Sequence, residues 1–257
     1  MEKSLGAISE NKLDAKKNSP ANLSYYDELV RFFEGDDSST LLKLRSFGLY
    51  APRQVITDFL VRYELFKLVL DIPGSILELG VFNGQGLLTY AHASAILEPN
   101  NITRKIFGFD TFEGFTGLVD SDRKSSSDLV SEGGYAIDSF ARLSHAIRLF
   151  DANRFIGHLP KIELVRGDVV ASLPEFLDAN PQVVPALVHL DMDMYAPTKV
   201  ALEQLVPRMP KGGVVVFDEL NMSDFPGETA ALRDTLKMNE VPLRRFPFCS
   251  RISYFVV

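Results

Sequence analysis

Residues 76–86 run Ile76-Leu77-Glu78-Leu79-Gly80-Val81-Phe82-Asn83-Gly84-Gln85-Gly86. A short apolar run brings Glu78 and Gly80 to its carboxyl end. Gly80, Gly84 and Gly86 then let the backbone turn tightly into the helical pattern Gln85–Leu97. In an open α/β sheet, ligands bind outside the carboxyl ends of the strands, where the strand order reverses. Strand, glycine-rich turn and helix in that order therefore mark a ligand site just beyond Leu79. A plain strand–helix turn that needs small residues reads the same way, so the flanking chain has to decide.

Outward from this stretch the character is regular. Further apolar runs fall at Lys105–Phe109, Lys161–Val165, Ala186–Leu190 and Val214–Phe217, with helical patterns at Val169–Asp178 and Thr198–Val206. Such alternation predicts a parallel sheet covered by helices on both faces. Two strand-like runs end the chain, Leu243–Phe248 and Arg251–Val257, and predict an antiparallel hairpin that closes the sheet. Upstream, Tyr26, Leu29, Val30 and Phe33, then Val55, Phe59, Leu60, Tyr63 and Phe66, recur at helical spacing. The break at Asp71-Ile72-Pro73-Gly74 ends that region. Three segments are thus expected: a flexible tail over residues 1–22, a helical lid region over 23–70, and the sheet domain over 71–257. The Ser-, Asp- and Gly-rich loop Thr116–Glu132 interrupts the alternation, as either a lid or binding loop or a solvated surface.

The chain has 257 residues, 46% hydrophobic and 24% charged, which excludes a disordered or collagen-like polymer and favours one domain. With 27 Lys and Arg against 34 Asp and Glu the net charge is −7, so a broad footprint for nucleic-acid backbones is not expected. The lone Cys249 can form neither an intramolecular disulfide nor, by itself, a zinc site, and reads as a small apolar residue near the last strand. No secretory apolar segment opens the chain and no run of about 18 apolar residues occurs, so no membrane partner and a cytoplasmic location are expected. His92, His145, His158 and His189 are scattered, and neither a G-x-S-x-G elbow nor a P-loop is present.

The chemistry sits at the strand ends. A dinucleotide turn wants G-x-G-x-x-G, but the spacing here is G-x-x-x-G-x-G behind a carboxylate. That carboxylate repels a pyrophosphate and suits a cationic amino-acid ligand such as S-adenosylmethionine, which carries an ammonium and a sulfonium. Asp110 ends the second run, where an acid can accept both ribose hydroxyls of a nucleoside; Phe112 or Phe115 could flank its base. The fourth run ends His189-Leu190-Asp191-Met192-Asp193-Met194-Tyr195 and the fifth Val216-Phe217-Asp218-Glu219. Neighbouring strands bring Asp191 close to Asp218 and Glu219, and clustered carboxylates need protons or a cation between them. Mg²⁺, with oxygen ligands, is the natural resident; the alternative is caps and salt bridges to arginines such as Arg53, Arg166 or Arg208.

Taken together, LELGVFNGQG (77–86), FGFDTFEGF (107–115), LDMDMYAPTKVALEQLVPRMPKGGVVVFDE (190–219) and the helical N-terminal region resemble the macrocin/mycinamicin-type (TylF-like) O-methyltransferases. The resemblance runs from Pro52 to the C-terminus. It implies a class I methyltransferase, a Rossmann-like doubly wound α/β fold with a mostly parallel seven-stranded sheet. It further implies S-adenosylmethionine- and Mg²⁺-dependent methylation of a sugar hydroxyl, free, nucleotide-linked or attached to a natural product, in antibiotic biosynthesis. The implied cofactor residues are Glu78, Gly80, Gly84 and Asp110, with Phe82, Asn83, Thr111 and Phe112 of the same motifs. The implied metal ligands are Asp191, Asp218 and Glu219, with Asp191 also the base. Two positions depart from the family's pattern: Glu219 where a second Asp is usual, and Met192 where a glycine is usual. The family's habit suggests a homo-oligomer.

An in-line transfer of this kind needs an aligned hydroxyl whose proton a carboxylate such as Asp191 accepts, with Mg²⁺ lowering the hydroxyl's pKa. The competing readings are a nicotinamide-dependent oxidoreductase or a cephalosporin hydroxylase-like enzyme on a related fold, a non-catalytic binding module, and a catechol-type acceptor for the same transfer.

Overall fold

The computed structural model describes residues 20–128 and 130–257, with the side chains of 20–23 left aside. Most of the expected tail over 1–22 lies outside the described residues. The chain falls into two compact units, one ending at Ile56 and the other spanning Thr57–Val257.

In the first unit, helix α1 (Pro20–Gly35) is followed by the short helix α2 (Thr40–Arg45), as the helical spacing predicts. Ser39 caps α2 by accepting the Leu42 N–H at 3.3 Å. The Tyr50 ring lies against Phe32 and Phe33 at centroid distances of 5.5 and 5.1 Å, and its hydroxyl donates to the Asp36 carboxylate. No side chain described from Ser24 to Ile56 is buried.

The second unit is built on one sheet: β1 (Ser75–Leu79), β2 (Ile106–Asp110), β3 (Ile162–Arg166), β4 (Pro185–Leu190), β5 (Val214–Phe217) and β6 (Ser253–Val256). The order is β3-β2-β1-β4-β5-β6, parallel throughout except for the antiparallel β5–β6 pair. Strands wind outward in both directions from β1, and the switch of direction falls between β1 and β4. Successive residues feed opposite faces, because strand side chains alternate. Ile76 and Val214 join one apolar cluster with Val61, Leu65 and Phe66 of α3 (Arg53–Lys67), Tyr90 of α4 (Gln85–Leu97) and Ile147 of α5 (Phe140–Ala152). Leu77 and Val215 join the other, with Leu173 of α6 (Val169–Ala179), Leu202 of α7 (Tyr195–Leu205) and Leu232 of α8 (Pro226–Thr235). Cys249 is buried in the first cluster as a small apolar residue.

One expectation is corrected. The sheet has six strands, not seven, because Leu243–Phe248 makes only a single antiparallel bridge, Arg244 to Tyr254. Pro242 precedes that run and Pro247 lies within it, and a proline offers no N–H to a ladder. Among the described residues no helix is long and apolar enough to cross a membrane.

The entry into β1 is held by one buried cation. Arg104 is 3% exposed and donates to the carbonyls of Val69 (2.9 Å), Ile72 (3.0 Å) and Gly74 (2.9 Å), while its Nε meets Glu98 Oε1 at 2.8 Å. The guanidinium thus gathers the turn after α3 and sets where β1 begins. Removing one partner of a buried pair strands the others, at about 3 kcal/mol or more. Arg104→Met should cost that much in urea unfolding; a loss below about 1 kcal/mol would mean water replaces the guanidinium.

Candidate active site

The carboxyl ends of β1, β2, β4 and β5 meet at one rim, fastened by backbone bonds. Gly80 N donates to Phe109 O at 2.8 Å, Asp191 N to Leu79 O at 2.8 Å, and Asp218 N to Leu190 O at 3.1 Å. This closeness explains the first glycine. Gly80 has φ +92°, and a Cβ there would lie 1.8 Å from the Asp191 carbonyl oxygen. At Gly86 a Cβ would lie 2.0 Å from Glu78 Oε1, so the start of α4 can approach the buried acid only without a side chain.

Asp110 organises the cofactor-side loops. Its Oδ2 accepts the N–H groups of Val81 (2.8 Å) and Phe82 (2.7 Å), and its Oδ1 accepts that of Phe112 (2.7 Å). Phe82 and Phe112 both have left-handed backbones, at φ 47° and 58°, which costs non-glycine residues energy and is held here by those bonds. Ser139 fastens the same turn by donating to Phe82 O at 2.6 Å, and Asn83 accepts from Arg142. Thr111 bonds within its own turn, to Gly114 O at 2.9 Å. Phe112 and Phe115 are buried, the former edge-on to Phe140, whereas Phe82 keeps 39% of its surface open. The exposed aromatic at this rim is therefore Phe82.

The acids are compensated by cations from distant parts of the chain, not by Arg166, which pairs with Glu113, or by Arg208. Arg62, on the buried face of α3, places Nε 3.9 Å from Glu78 Oε1 and Nη2 3.3 Å from Asp191 Oδ2 and 3.6 Å from Asp218 Oδ1. Arg251, just before β6, places Nη1 2.7 Å from Asp218 Oδ2 and 3.3 Å from Glu219 Oε1, and Nη2 3.2 Å from Asp58. Glu78 and Glu219 each keep one buried oxygen, Oε2, without a hydrogen-bond donor.

Titration follows from this charge pattern. Burial opposes ionisation of Asp218, yet Arg251, the His189 hydrogen bond and Arg62 hold it below the usual carboxylate range. Burial and then the Asp218 charge push Asp191 up to about 7 and Glu219 up to about 9. Burial likewise raises Glu78, Asp193 and Glu228. Only Asp191 among the three predicted ligands is open, its side chain 28% exposed.

His189, Asp191 and Asp218 offer ligand atoms within 4.8 Å of one another. Glu219 stands outside that trio, with one oxygen 3.3 Å from Arg251 Nη1. His189 is committed elsewhere: its ring is fully buried, Nε2 lies 3.2 Å from Asp218 Oδ1 and Nδ1 2.8 Å from Tyr90 Oη. A carboxylate only accepts, so Nε2 carries the hydrogen and Nδ1 accepts from Tyr90. The ring thus fixes the direction of Asp218.

Sequence reading missed Arg62, Arg251 and this Tyr90–His189 support. Arg62 did leave a signal, a cation set among Val61, Leu65 and Phe66 on an apolar stripe. Arg251, Tyr90 and His189 left none.

Burial lowers the His189 pKa to about 4, against 6.5 for a free ring. Between those values the unfolded chain binds a proton that the folded ring refuses, so stability should fall as pH falls from 6.5 towards 4. Imidazole nitrogen NMR should show a neutral Nε2–H tautomer that does not titrate above pH about 5; titration near 6.5 would contradict the buried relay.

The macrocin O-methyltransferase (TylF) family profile matches residues 66–243. A curated relative, the 8-demethyl-8-(2,3-dimethoxy-alpha-L-rhamnosyl)-tetracenomycin-C 4′-O-methyltransferase of Streptomyces olivaceus, is 27% identical over 220 residues, covering 80% of this chain and 78% of the relative. The crystal structure of CalS11, a calicheamicin methyltransferase, superimposes with a TM-score of 0.89 at 35% identity over 93% of each chain. Its apo form, described as a TDP-rhamnose 3′-O-methyltransferase, gives 0.80 at 34% identity over 93% of this chain and 95% of that one. The O-methyltransferase NovP shares the fold, with a TM-score of 0.63 at 18% identity over 78% of this chain and 79% of its own. The chain therefore belongs to the macrocin O-methyltransferase family and is an O-methyltransferase.

Proposed function

We propose that the protein methylates a hydroxyl of a deoxyhexose in antibiotic biosynthesis, with S-adenosylmethionine as donor and Mg²⁺ at the acidic rim. The observation that carries this reading is the carboxylate group Asp191, Asp218 and Glu219 beside the Gly80–Gly86 turn, with Arg62 and Arg251 as the cations set against it among the described residues. The tetracenomycin relative is named for a rhamnosyl group already on its scaffold, and CalS11 for a nucleotide-linked rhamnose. Both support a sugar acceptor.

The donor set suits the cation: two carboxylate oxygens converge at Asp191 and Asp218, and Glu219 keeps a buried oxygen without a hydrogen bond. When bound, Mg²⁺ acidifies a hydroxyl that coordinates it. S-adenosylmethionine suits the adjoining turn, where Glu78 keeps a buried acceptor without a hydrogen-bond donor, Gly80 and Gly84 take the positive φ that the tight turn needs, and Phe82 offers an exposed ring face. Asn83, Asp110, Thr111 and Phe112 complete that wall, with Asp110 shaping both loops. Asp191 is the open carboxylate, and its Oδ atoms take the acceptor's proton. Arg62 holds Asp191 in place, and His189 fixes Asp218 behind it. The loop Thr116–Glu132 shields the donor from water.

Calorimetry with S-adenosylhomocysteine tests the donor site: Glu78→Ala should weaken binding more than tenfold, about the 1.4 kcal/mol of one charge-assisted contact. Unchanged affinity removes Glu78 from the site. Transfer of labelled methyl to a rhamnosyl acceptor tests the rim. Excess chelator should abolish it while donor binding persists, and Asp191→Asn should lower the rate by about a hundredfold or more. Full turnover in chelator would make the carboxylate group structural.

A further inference from the structure

The relatives divide between two acceptor forms, a sugar on a finished scaffold and a sugar on a nucleoside diphosphate. A cavity of about 450 Å³ beside the acidic rim distinguishes them. Its polar lining is Ser121 and Lys124 from the Thr116–Glu132 loop, Asn221 and Ser223 from the segment after β5, and Thr229 and Arg233 from α8, with Met222, Pro226 and Ala230 as the apolar part. We propose that this cavity holds the diphosphate of a nucleoside-diphosphate-linked sugar, which makes the acceptor nucleotide-linked. The proposal rests on the sugar-methylating reading above.

The chemistry of the lining is that of an anion site. Lys124 and Arg233 supply charge, Ser121, Ser223 and Thr229 supply hydroxyls, and Asn221 supplies an amide. In a chain of net charge −7, a doubly charged ligand gains nothing from the molecule's overall field and needs local cations. Arg233 suits this best, because a guanidinium meets phosphate oxygens two at a time. Its present ion pair, to the adjacent Asp234 at 3.3 Å, is exposed on both sides and is readily exchanged for a stronger anion. Thr229 and Arg233 are four residues apart on α8 and so lie on one face.

The walls are also fixed in place. Asp122, 2% exposed, accepts the Tyr195 N–H at 2.8 Å and the Val119 N–H at 3.0 Å, which pins the Ser121–Lys124 turn to the start of α7. Asn221 N donates to Thr229 Oγ1 at 2.9 Å, and Ser126 N to Ser223 O at 3.1 Å, which joins the loop to the opposite wall. Asn221 follows Asp218 by three residues, a reach of at most about 10 Å. A pyranose with its hydroxyl at Asp191 and Asp218 can therefore extend its anomeric phosphate into the cavity.

The test is calorimetric titration of thymidine diphosphate and, separately, thymidine into the full chain saturated with S-adenosylhomocysteine. Thymidine diphosphate should bind saturably, thymidine should bind at least tenfold more weakly, and the affinity should drop with added salt. Lys124→Ala and Arg233→Ala should each weaken the diphosphate about tenfold, and the double variant more. The Michaelis constant for thymidine-diphosphate rhamnose should rise in parallel. Both side chains are exposed, so these variants should fold, and S-adenosylhomocysteine affinity checks that in each. No binding of the diphosphate, or unchanged binding in the double variant, overturns the proposal. If such a protein still methylates a rhamnosylated scaffold, the methyl-transfer reading stands. If thymidine diphosphate binds as expected but S-adenosylhomocysteine does not, the pocket stands and the methyl-transfer reading falls.

Discussion

Arg62 and Arg251 hold a group of buried carboxylates at the carboxyl rim of the sheet, and the remaining features of the site depend on that balance. Taking a carboxylate out of water costs several kcal/mol unless a partner compensates it. Here Asp218 is fully buried between both guanidiniums and stays ionised, so it sets the field for its neighbours. Asp191 and Glu219 feel that negative charge and hold their protons more tightly. Two cations facing four close acids, Glu78, Asp191, Asp218 and Glu219, leave the rim short of positive charge. Protons on the raised acids, or a divalent cation, must supply the difference.

The backbone makes this arrangement possible. Gly80 lets β1 and β4 end within touching distance, and Gly86 lets α4 approach Glu78. Asp110 then ties the loops after β1 and β2 together through three amide hydrogen bonds. A carboxylate expected to greet a ribose is thus also the bracket that shapes the pocket wall. Its Oδ1 retains one further lone pair, enough for a single ribose hydroxyl.

Much of this was legible in the amino-acid sequence. The run that opens at Ile76, the run Val214–Phe217 and the helix Gln85–Leu97 coincide with β1, β5 and α4, because buried parallel strands are continuous apolar runs and the glycine-rich turn marks where α4 begins. The D-x-D and Asp-Glu pairs fall just after β4 and β5 for the same reason: strand ends are fixed by the runs that precede them. Membership of the methyltransferase family sets aside the oxidoreductase and non-catalytic readings. What stayed hidden was long-range. Arg251 precedes Ser253 by only two residues, and nothing local says that it reaches Asp218. Helix α5 went unread because it follows an irregular loop, and a seventh strand was expected where Pro242 and Pro247 permit only one bridge.

The proposed Mg²⁺ site depends on the unbalanced carboxylates of this rim. Direct calorimetric titration of Mg²⁺ into the protein with S-adenosylhomocysteine bound tests it most closely. One ion per chain should bind saturably, and the binding should be lost in Asp191→Asn. Absence of binding in the wild-type protein, or equal binding in Asp191→Asn, would contradict it.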